Sequence, residues 1–380
     1  MTAESRRTAS AATVPFYPDL HPEQRKLLDA MPFDGSHLVS GPPGSGKSIV
    51  AVHRAALLEL TGAKVTLVSR SNLLRQQHAE AASVLCPDVR VATFHSLLGD
   101  WYRRALGERL PTTAPDGTSG WEIDWPELYA RTLAANTLPP LGALVVDEGQ
   151  DLPPEFYRLC RIADARLTVL ADEHQVLTDT HSTLAEISGA LGDCSPWELH
   201  TNHRNTRQLA SLAAHFHGGP FPPRLPEAGG PSATVTRYPA DSDLLREVRQ
   251  HLEARPRDAV GVVLRSGLRQ RRLLGLFQSA GLPVQAYFGD APRGRYRDLD
   301  WSRSGVYLVT RASVKGLTFD ALFVPDTHLD SGDPGDPGLR MMYYVLATRP
   351  RRHLRFGYEG DREPPLLAGV PRELLRRDAP

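Results

Sequence analysis

The sequence predicts an α/β protein with two domains, each built on a mostly parallel sheet. Apolar strand runs alternate with helical patterns in both halves of the chain. A glycine-rich loop follows the first predicted strand and opens a helix, and a Pro- and Gly-rich segment over residues 217–232 interrupts the pattern. The 380 residues are enough for two separate cores. We therefore predict a disordered lead over 1–14, a first domain over 15–198 and a second over 199–380.

The individual elements follow from the same alternation. Predicted strands in the first domain are 37–40, 64–69, 90–93, 143–147 and 166–171, with helices over 47–60 and 72–85. In the second domain the predicted strands are 233–238, 259–265, 284–288, 305–310, 321–325 and 353–357, and the helices are 242–254, 268–280 and 339–348. A short insertion over about 97–141 contains the turn-rich stretch 111–120.

Composition excludes several classes of protein. Hydrophobic residues make up 41% and charged residues 23%, which is typical of a soluble globular protein. No apolar run approaches the roughly 18 residues of a membrane span, and the N-terminus lacks an apolar signal core. Cys86, Cys160 and Cys194 are widely spaced, which favours free thiols over disulfides or a zinc site. The expected location is the cytoplasm.

The net charge is zero but unevenly distributed. Residues 1–198 contain 17 basic and 25 acidic side chains, whereas the rest of the chain contains 27 and 19. This asymmetry favours a polyanion that contacts the second domain. Alternatively, the additional arginines serve nucleotide binding or solubility.

The glycine-rich loop, GPPGSGKS, predicts a phosphate site. The chain has four lysines, and two of them, Lys47 and Lys315, lie in motifs suited to phosphate binding. A strand, a glycine-rich loop and a helix N-terminus together place backbone N–H groups around phosphates. Lys47 would neutralise the β- and γ-phosphates of ATP, and Ser48 would bind Mg²⁺. The predicted loop residues are Gly41, Pro42, Pro43, Gly44, Ser45, Gly46, Lys47 and Ser48.

A second motif, ALVVDEGQD, predicts the acidic half of the same site. Four apolar residues are followed by Asp147, which places a carboxylate at the end of a buried strand. Asp147 would hold Mg²⁺, and Glu148 would orient or deprotonate the attacking water.

With these two motifs, the chain from about Leu20 to Leu354 resembles the UvrD/Rep-type superfamily 1 DNA helicases. The resemblance implies two RecA-like domains with ATP between them. LHPEQ is similar to the adenine-binding Q motif, which implicates Gln24, and VVDEGQD implies that Gln150 couples nucleotide to nucleic acid. LADEHQ resembles G-D-x-x-Q, making Gln175 a sensor of the γ-phosphate or water. VTLVSRSN and VATFHS are similar to motifs that contact single strands, implicating Ser69, Asn72, Thr93, Phe94 and His95.

The second half continues the resemblance. LHTNHRN is similar to N-Y-R-S, which implies that Arg204 binds the γ-phosphate. YYVLATRPRRHL resembles the motif that supplies the arginine finger, here Arg349. TRASVKGLTFD is similar to T-x-H-x-x-K-G-L-E-F, which implicates Thr310 in nucleic-acid binding and Gly316 in nucleotide binding.

The chain also departs from that family. The base-stacking aromatic after the third motif is missing, because VLTDTHSTL occupies that stretch. Thr318 replaces the glutamate of K-G-L-E-F, and His203 replaces the tyrosine of N-Y-R. The short insertions leave no room for the large accessory subdomains, so the resemblance is to a compact form.

The resulting hypothesis is a nucleic-acid-dependent ATPase, a 3′–5′ single-stranded DNA translocase or helicase, with RNA not excluded as a substrate. The alternative is an ATP-gated, DNA-sensing regulatory subunit that controls a protein partner such as a nuclease in a defence or repair complex. The reduced insertions favour this alternative, whereas the ordered second-half motifs argue against an unrelated phosphate-loop ATPase.

Overall fold

A computed structural model describes residues 14–113, 122–172, 182–192, 194–217, 224–291 and 296–378. The chain forms two compact units. The first contains Pro15–Gly41 and Lys47–Leu199, and the second contains Pro42–Gly46 and residues 200–378. Within the described ranges, no helix is both long and apolar enough to cross a bilayer.

The first unit alternates strands and helices along most of its length. Its strands are β1 (Ser36–Ser40), β2 (Val65–Ser69), β3 (Arg90–Thr93), β4 (Ala143–Val146), β5 (Arg166–Ala171) and β6 (Cys194–Glu198). Its helices are α1 (Pro22–Ala30), α2 (Lys47–Leu60), α3 (Asn72–Leu85), α4 (Phe94–Leu106), α5 (Trp125–Ala134), α6 (Pro154–Ile162) and α7 (Leu184–Leu191).

The six strands form one sheet in the order β3-β2-β4-β5-β1-β6. All pairings are parallel, including β1 with β5 and β4 with β5. The carboxyl ends of β1, β4 and β5 therefore meet at one edge of the sheet. The loops after these three strands contain the residues of the candidate nucleotide site.

The second unit has the same architecture with seven strands. They are β7 (Ala233–Arg237), β8 (Ala259–Leu264), β9 (Val284–Ala286), β10 (Gly305–Thr310), β11 (Phe319–Val324), β12 (Pro350–Tyr358) and β13 (Leu375–Arg377). The helices are α8 (Arg207–Phe216), α9 (Asp241–Ala254), α10 (Gly267–Ser279), α11 (Pro337–Thr348) and α12 (Pro365–Ala368). The sheet order is β13-β7-β12-β11-β8-β10-β9, again with parallel pairings.

Each unit has its own apolar core. In the first, Trp101, Phe156 and Tyr157 pack with residues from β4 and β5. In the second, Phe277, Leu308 and Phe323 pack with residues from β8. The central strands β4 and β8 are buried along their whole length, as parallel strands covered on both faces must be. The predicted fold class, two α/β domains with parallel sheets, is confirmed.

Candidate nucleotide site

The glycine-rich loop has the backbone of a phosphate loop. It joins the end of β1 to the start of α2, and Gly44 and Gly46 adopt positive φ angles of 81° and 87°. Such angles are readily accessible only to glycine. Lys47 and Ser48 lie in the first turn of α2, where a helix dipole favours anions. The Lys47 Nζ donates to the Gly41 carbonyl at 2.6 Å and lies 3.5 Å from Asp172 Oδ2.

Asp147 lies directly after β4 and is fully buried. Among the residues that the structure describes, neither of its carboxylate oxygens has a hydrogen-bond partner of good geometry. Burial alone would raise the pKa of Asp147, but the neighbouring His78, Ser48 and Lys47 outweigh burial and lower the pKa below its ordinary value. Asp147 is therefore a buried anion with unsatisfied oxygens. That donor chemistry fits a divalent cation held by Asp147 and Ser48.

Glu148 follows in a strained conformation. Its φ of 53° and ψ of 46° place it in the left-handed region, which is uncommon for a residue with a side chain. Gln150 fixes the carboxylate, because its Nε2 donates to Glu148 Oε2 at 2.6 Å. The other end of the Gln150 amide accepts the Asp172 N–H at 3.0 Å. The turn after β4 is thereby tied to the end of β5, which holds the Glu148 carboxylate at the sheet edge.

Gly149 allows this turn to pack closely. A Cβ atom at Gly149 would lie 2.4 Å from Val169 Cγ1 and 2.8 Å from the Tyr157 hydroxyl. That hydroxyl donates to the Gly149 carbonyl at 2.6 Å. Val169 is packed in the core, and the Tyr157 hydroxyl is held by its hydrogen bond to Gly149. Neither group can easily move away from an added Cβ atom.

We expect Gly149→Ala to destabilise the first unit by about 1–3 kcal/mol, because the added methyl group overpacks the turn. The added methyl group would also displace Glu148, the neighbouring residue. Thermal unfolding measures the first effect, with Gly99→Ala as the control, because a Cβ atom at Gly99, within α4, meets nothing within 4 Å. Equal stability of the two variants would contradict the proposed packing.

In the first unit, the residues implicated in nucleic-acid binding lie at the ends of β2 and β3 or just after them, at the same sheet edge. The Thr93 hydroxyl caps α4 by accepting the Ser96 N–H at 3.3 Å, and the Asn72 side chain accepts from Arg75 at 2.9 Å. Ser69 is buried, and its hydroxyl donates to the Ser71 carbonyl. Phe94 is 4% exposed and packs edge-on against Phe156. Its ring belongs to the core, so any contact with nucleic acid would come from its backbone.

The sequence also implicated Gln24, His95 and Gln175. Gln24 is buried in α1, and its Oε1 accepts the His21 N–H at 3.2 Å, which caps that helix. Its side chain thus has a structural role in this conformation. His95, next to Phe94, has its ring centroid 3.8 Å from that of Phe94. Gln175 lies outside the described residues.

In the second unit, the two implicated arginines belong to one hydrogen-bonded region. Arg204 donates to the Thr348 carbonyl at 3.4 Å, immediately before Arg349. Asn205 donates to the Thr348 carbonyl at 3.2 Å and to the Pro350 carbonyl at 2.6 Å, on both sides of Arg349. Arg349 is 1% exposed, and its guanidinium donates to the Val345 carbonyl and the Thr348 hydroxyl. The structure therefore brings Arg204 and Arg349 together through Asn205, which the sequence did not single out.

Thr310 and Gly316 flank a short turn after β10. The Thr310 hydroxyl lies 3.1 Å from the Ser313 hydroxyl, and Gly316 has a φ of 78°. Arg311, between them in sequence, is buried and forms ion pairs with Asp326 and Asp330. This buried ionic cluster fixes the start of the turn.

Comparison with known proteins identifies one family model, described as an AAA domain, which matches residues 24–180. A search of curated proteins finds no significant match. Among solved structures, the chain is similar to yeast (S. cerevisiae) Dbp5 bound to RNA and ADP BeF3, with 14% identity, a TM-score of 0.49, and coverage of 95% of this chain and 94% of Dbp5.

Two further solved structures are similar to this chain, with lower TM-scores. The helicase of PRRSV has 15% identity and a TM-score of 0.41, and the match covers 85% of this chain but only 52% of that protein. The C-terminal domain of a possible DNA helicase from Lactobacillus plantarum WCFS1 has 20% identity and a TM-score of 0.36, with 47% of this chain and 99% of that domain covered. These structural similarities are too distant to assign a function. Over residues 24–180, the chain resembles AAA-type phosphate-loop domains.

Proposed function

We propose that this protein is a nucleic-acid-dependent ATPase that moves along single-stranded DNA in the 3′–5′ direction, as a compact relative of the UvrD/Rep-type helicases. The observation that carries the proposal is the grouping of Lys47, Asp147 and Glu148 at one sheet edge of the first unit. An ammonium, a metal-binding carboxylate and a positioned carboxylate are the components of ATP hydrolysis. The match of residues 24–180 to the AAA domain supports nucleotide binding.

The residues act on ATP in separate roles under this proposal. Lys47 neutralises the β- and γ-phosphates, and the backbone N–H groups of the loop bind their oxygens. Mg²⁺, held by Ser48 and Asp147, supplies charge neutralisation when bound. Glu148 accepts the proton of the attacking water, and Gln150 keeps the Glu148 carboxylate oriented. Asp172, 3.5 Å from Lys47, holds the ammonium in place before nucleotide binds.

Arg204 and Arg349 are proposed to stabilise charge on the γ-phosphate in the ATP-bound enzyme. In the present structure Arg349 is turned onto the last turn of α11. A γ-phosphate oxygen would accept a charge-assisted hydrogen bond from this guanidinium.

The direct test compares ATP hydrolysis without nucleic acid, with single-stranded DNA, with duplex DNA and with single-stranded RNA of the same sequence. We expect the largest stimulation from single-stranded DNA. Direction of movement is measured by displacement of streptavidin from biotin at either end, and we expect displacement from the 5′ end. Hydrolysis that no nucleic acid stimulates would refute the translocase proposal while leaving nucleotide hydrolysis intact.

A further inference from the structure

His78 lies against the metal-binding carboxylate, although no sequence motif pointed to it. It is on the buried face of α3 and is 3% exposed. Its Nε2 lies 3.0 Å from Asp147 Oδ2. An imidazole so close to this carboxylate is not needed for any step of the ATPase proposal above. Either His78 pairs with Asp147 as a structural core histidine, or His78 and Asp147 bind the same ligand.

The hydrogen-bond geometry distinguishes these two roles. In the second unit, His251 and Asp258 have the same Nε2–Oδ2 separation of 3.0 Å, and that buried pair forms a well-aligned hydrogen bond. His78 and Asp147 are at the same distance but do not form a well-aligned hydrogen bond. Within the described part of the chain, His78 Nε2 and both Asp147 oxygens are buried without a hydrogen-bond partner of good geometry. Unsatisfied buried polar atoms that converge at one place point to a missing ligand.

The separation itself suits a shared metal ion. Two neighbouring ligands of an octahedral ion, each about 2.1 Å from it, lie about 3.0 Å apart. His78 Nε2 and Asp147 Oδ2 have this spacing. Ser48, the other residue expected to hold the ion, is also next to Asp147, where its hydroxyl contributes to the lowered pKa of that carboxyl.

We propose that His78, Asp147 and Ser48 form a mixed nitrogen and oxygen donor set that binds a divalent first-row transition ion such as Mn²⁺ in preference to Mg²⁺. Mg²⁺ favours oxygen ligands and keeps its waters, whereas imidazole is a good ligand for transition ions. The proposal rests on the proposed function only in that this site serves the nucleotide. The proposal specifies the class of metal ion that accompanies the nucleotide.

The experiment uses the full chain with Mn²⁺, alone and with ADP, and measures pulsed electron paramagnetic resonance. We expect nitrogen-14 coupling from a directly bound imidazole, and phosphorus-31 coupling when ADP is present. Labelling the protein with nitrogen-15 histidine should convert the nitrogen-14 signal to a nitrogen-15 signal, which assigns it to histidine without any substitution. Absence of histidine nitrogen coupling in the wild-type protein would overturn the proposal.

Substitution then assigns the signal to one residue. His78→Gln should abolish the nitrogen coupling and weaken Mn²⁺ binding about 10- to 100-fold, while the affinity for Mg²⁺ changes little. The matched control is His251→Gln, which removes an equally buried histidine beside an aspartate and should leave the coupling intact. Circular dichroism establishes that each variant is folded. Nitrogen coupling that survives His78→Gln would refute the assignment.

The results also separate this inference from the proposed function. Phosphorus coupling without histidine nitrogen coupling would leave the nucleotide site standing and reject His78 as a ligand. Histidine coupling without phosphorus coupling, together with no ATP hydrolysis, would support the metal site and reject the ATPase.

Discussion

Replacing Glu148 with glutamine should reduce ATP hydrolysis by about 10²- to 10⁴-fold while leaving ATP binding nearly unchanged. The carboxylate is the proposed proton acceptor, and an amide cannot accept the proton of water. The substitution preserves size, and an amide oxygen at this position can still accept the hydrogen bond that Gln150 donates. The strained backbone of residue 148 is therefore expected to persist. Steady-state hydrolysis measures the loss, and titration calorimetry with ATP measures binding.

Glu155→Gln is the matched control for this prediction. Glu155 is in the first turn of α6, within the same unit, and its side chain forms a surface ion pair with Arg158 at 3.8 Å. Its replacement should leave hydrolysis within experimental error, since exposed pairs of this kind contribute little. Retention of more than a tenth of wild-type hydrolysis by Glu148→Gln would show that another group activates the water.

The largest effect on stability is expected from Arg311→Met. The Arg311 guanidinium donates two hydrogen bonds to Asp330, at 2.7 and 2.6 Å, and one to Asp326 at 2.9 Å. Burial acts to lower the Arg311 pKa, but the two carboxylates raise it above the ordinary value. Removing this cation would leave the buried carboxylates of Asp326 and Asp330 without their shared guanidinium, although Arg265 still lies 3.1 Å from Asp330. We expect a loss of about 3–5 kcal/mol in the free energy of unfolding.

Urea denaturation measures this loss, and Arg303→Met provides the comparison. Arg303 pairs with Asp300 at 2.7 Å, but its side chain is 74% exposed, so its replacement should cost less than about 1 kcal/mol. Similar midpoints for the two variants would mean that the buried cluster adds nothing beyond a surface pair. Tyr343, which lies on α11, also donates to Asp330, so Arg311→Met should loosen that helix.

Much of the fold could be predicted because the central strands are uniformly apolar. The predicted strands 166–171 and 305–310, which lie inside their sheets, agree with β5 and β10 to the residue. Two edge strands were not predicted. The β6 segment, CSPWE, contains Pro196 and is only partly buried, and the β13 segment, LRR, is mostly charged. Edge strands tolerate proline and charge because one side of the strand needs no partner, so their sequences lack the apolar signature.

The candidate site was predictable only in its chemistry. The motifs identify Lys47, Asp147 and Glu148, because phosphate and metal binding require particular residue types at particular spacings. The tertiary contacts that hold these side chains in position produce no recognisable pattern in the local sequence. The closure of the Gly149 turn by Tyr157 is one example. His78 is another, since a histidine on the buried face of a helix has the same pattern whether it packs or binds a ligand.

The sheet order of the first unit has a consequence for synthesis on the ribosome. Within the described sheet, β1 is hydrogen-bonded to β5 and β6, which lie more than a hundred residues later in the chain. While the nascent polypeptide emerges, β1 has no neighbour to cover its backbone, and loop closure over such a distance is slow. An unpaired apolar strand is prone to misassociation during this interval. Chaperone dependence of the newly made chain should therefore end only after Glu198 has left the exit tunnel.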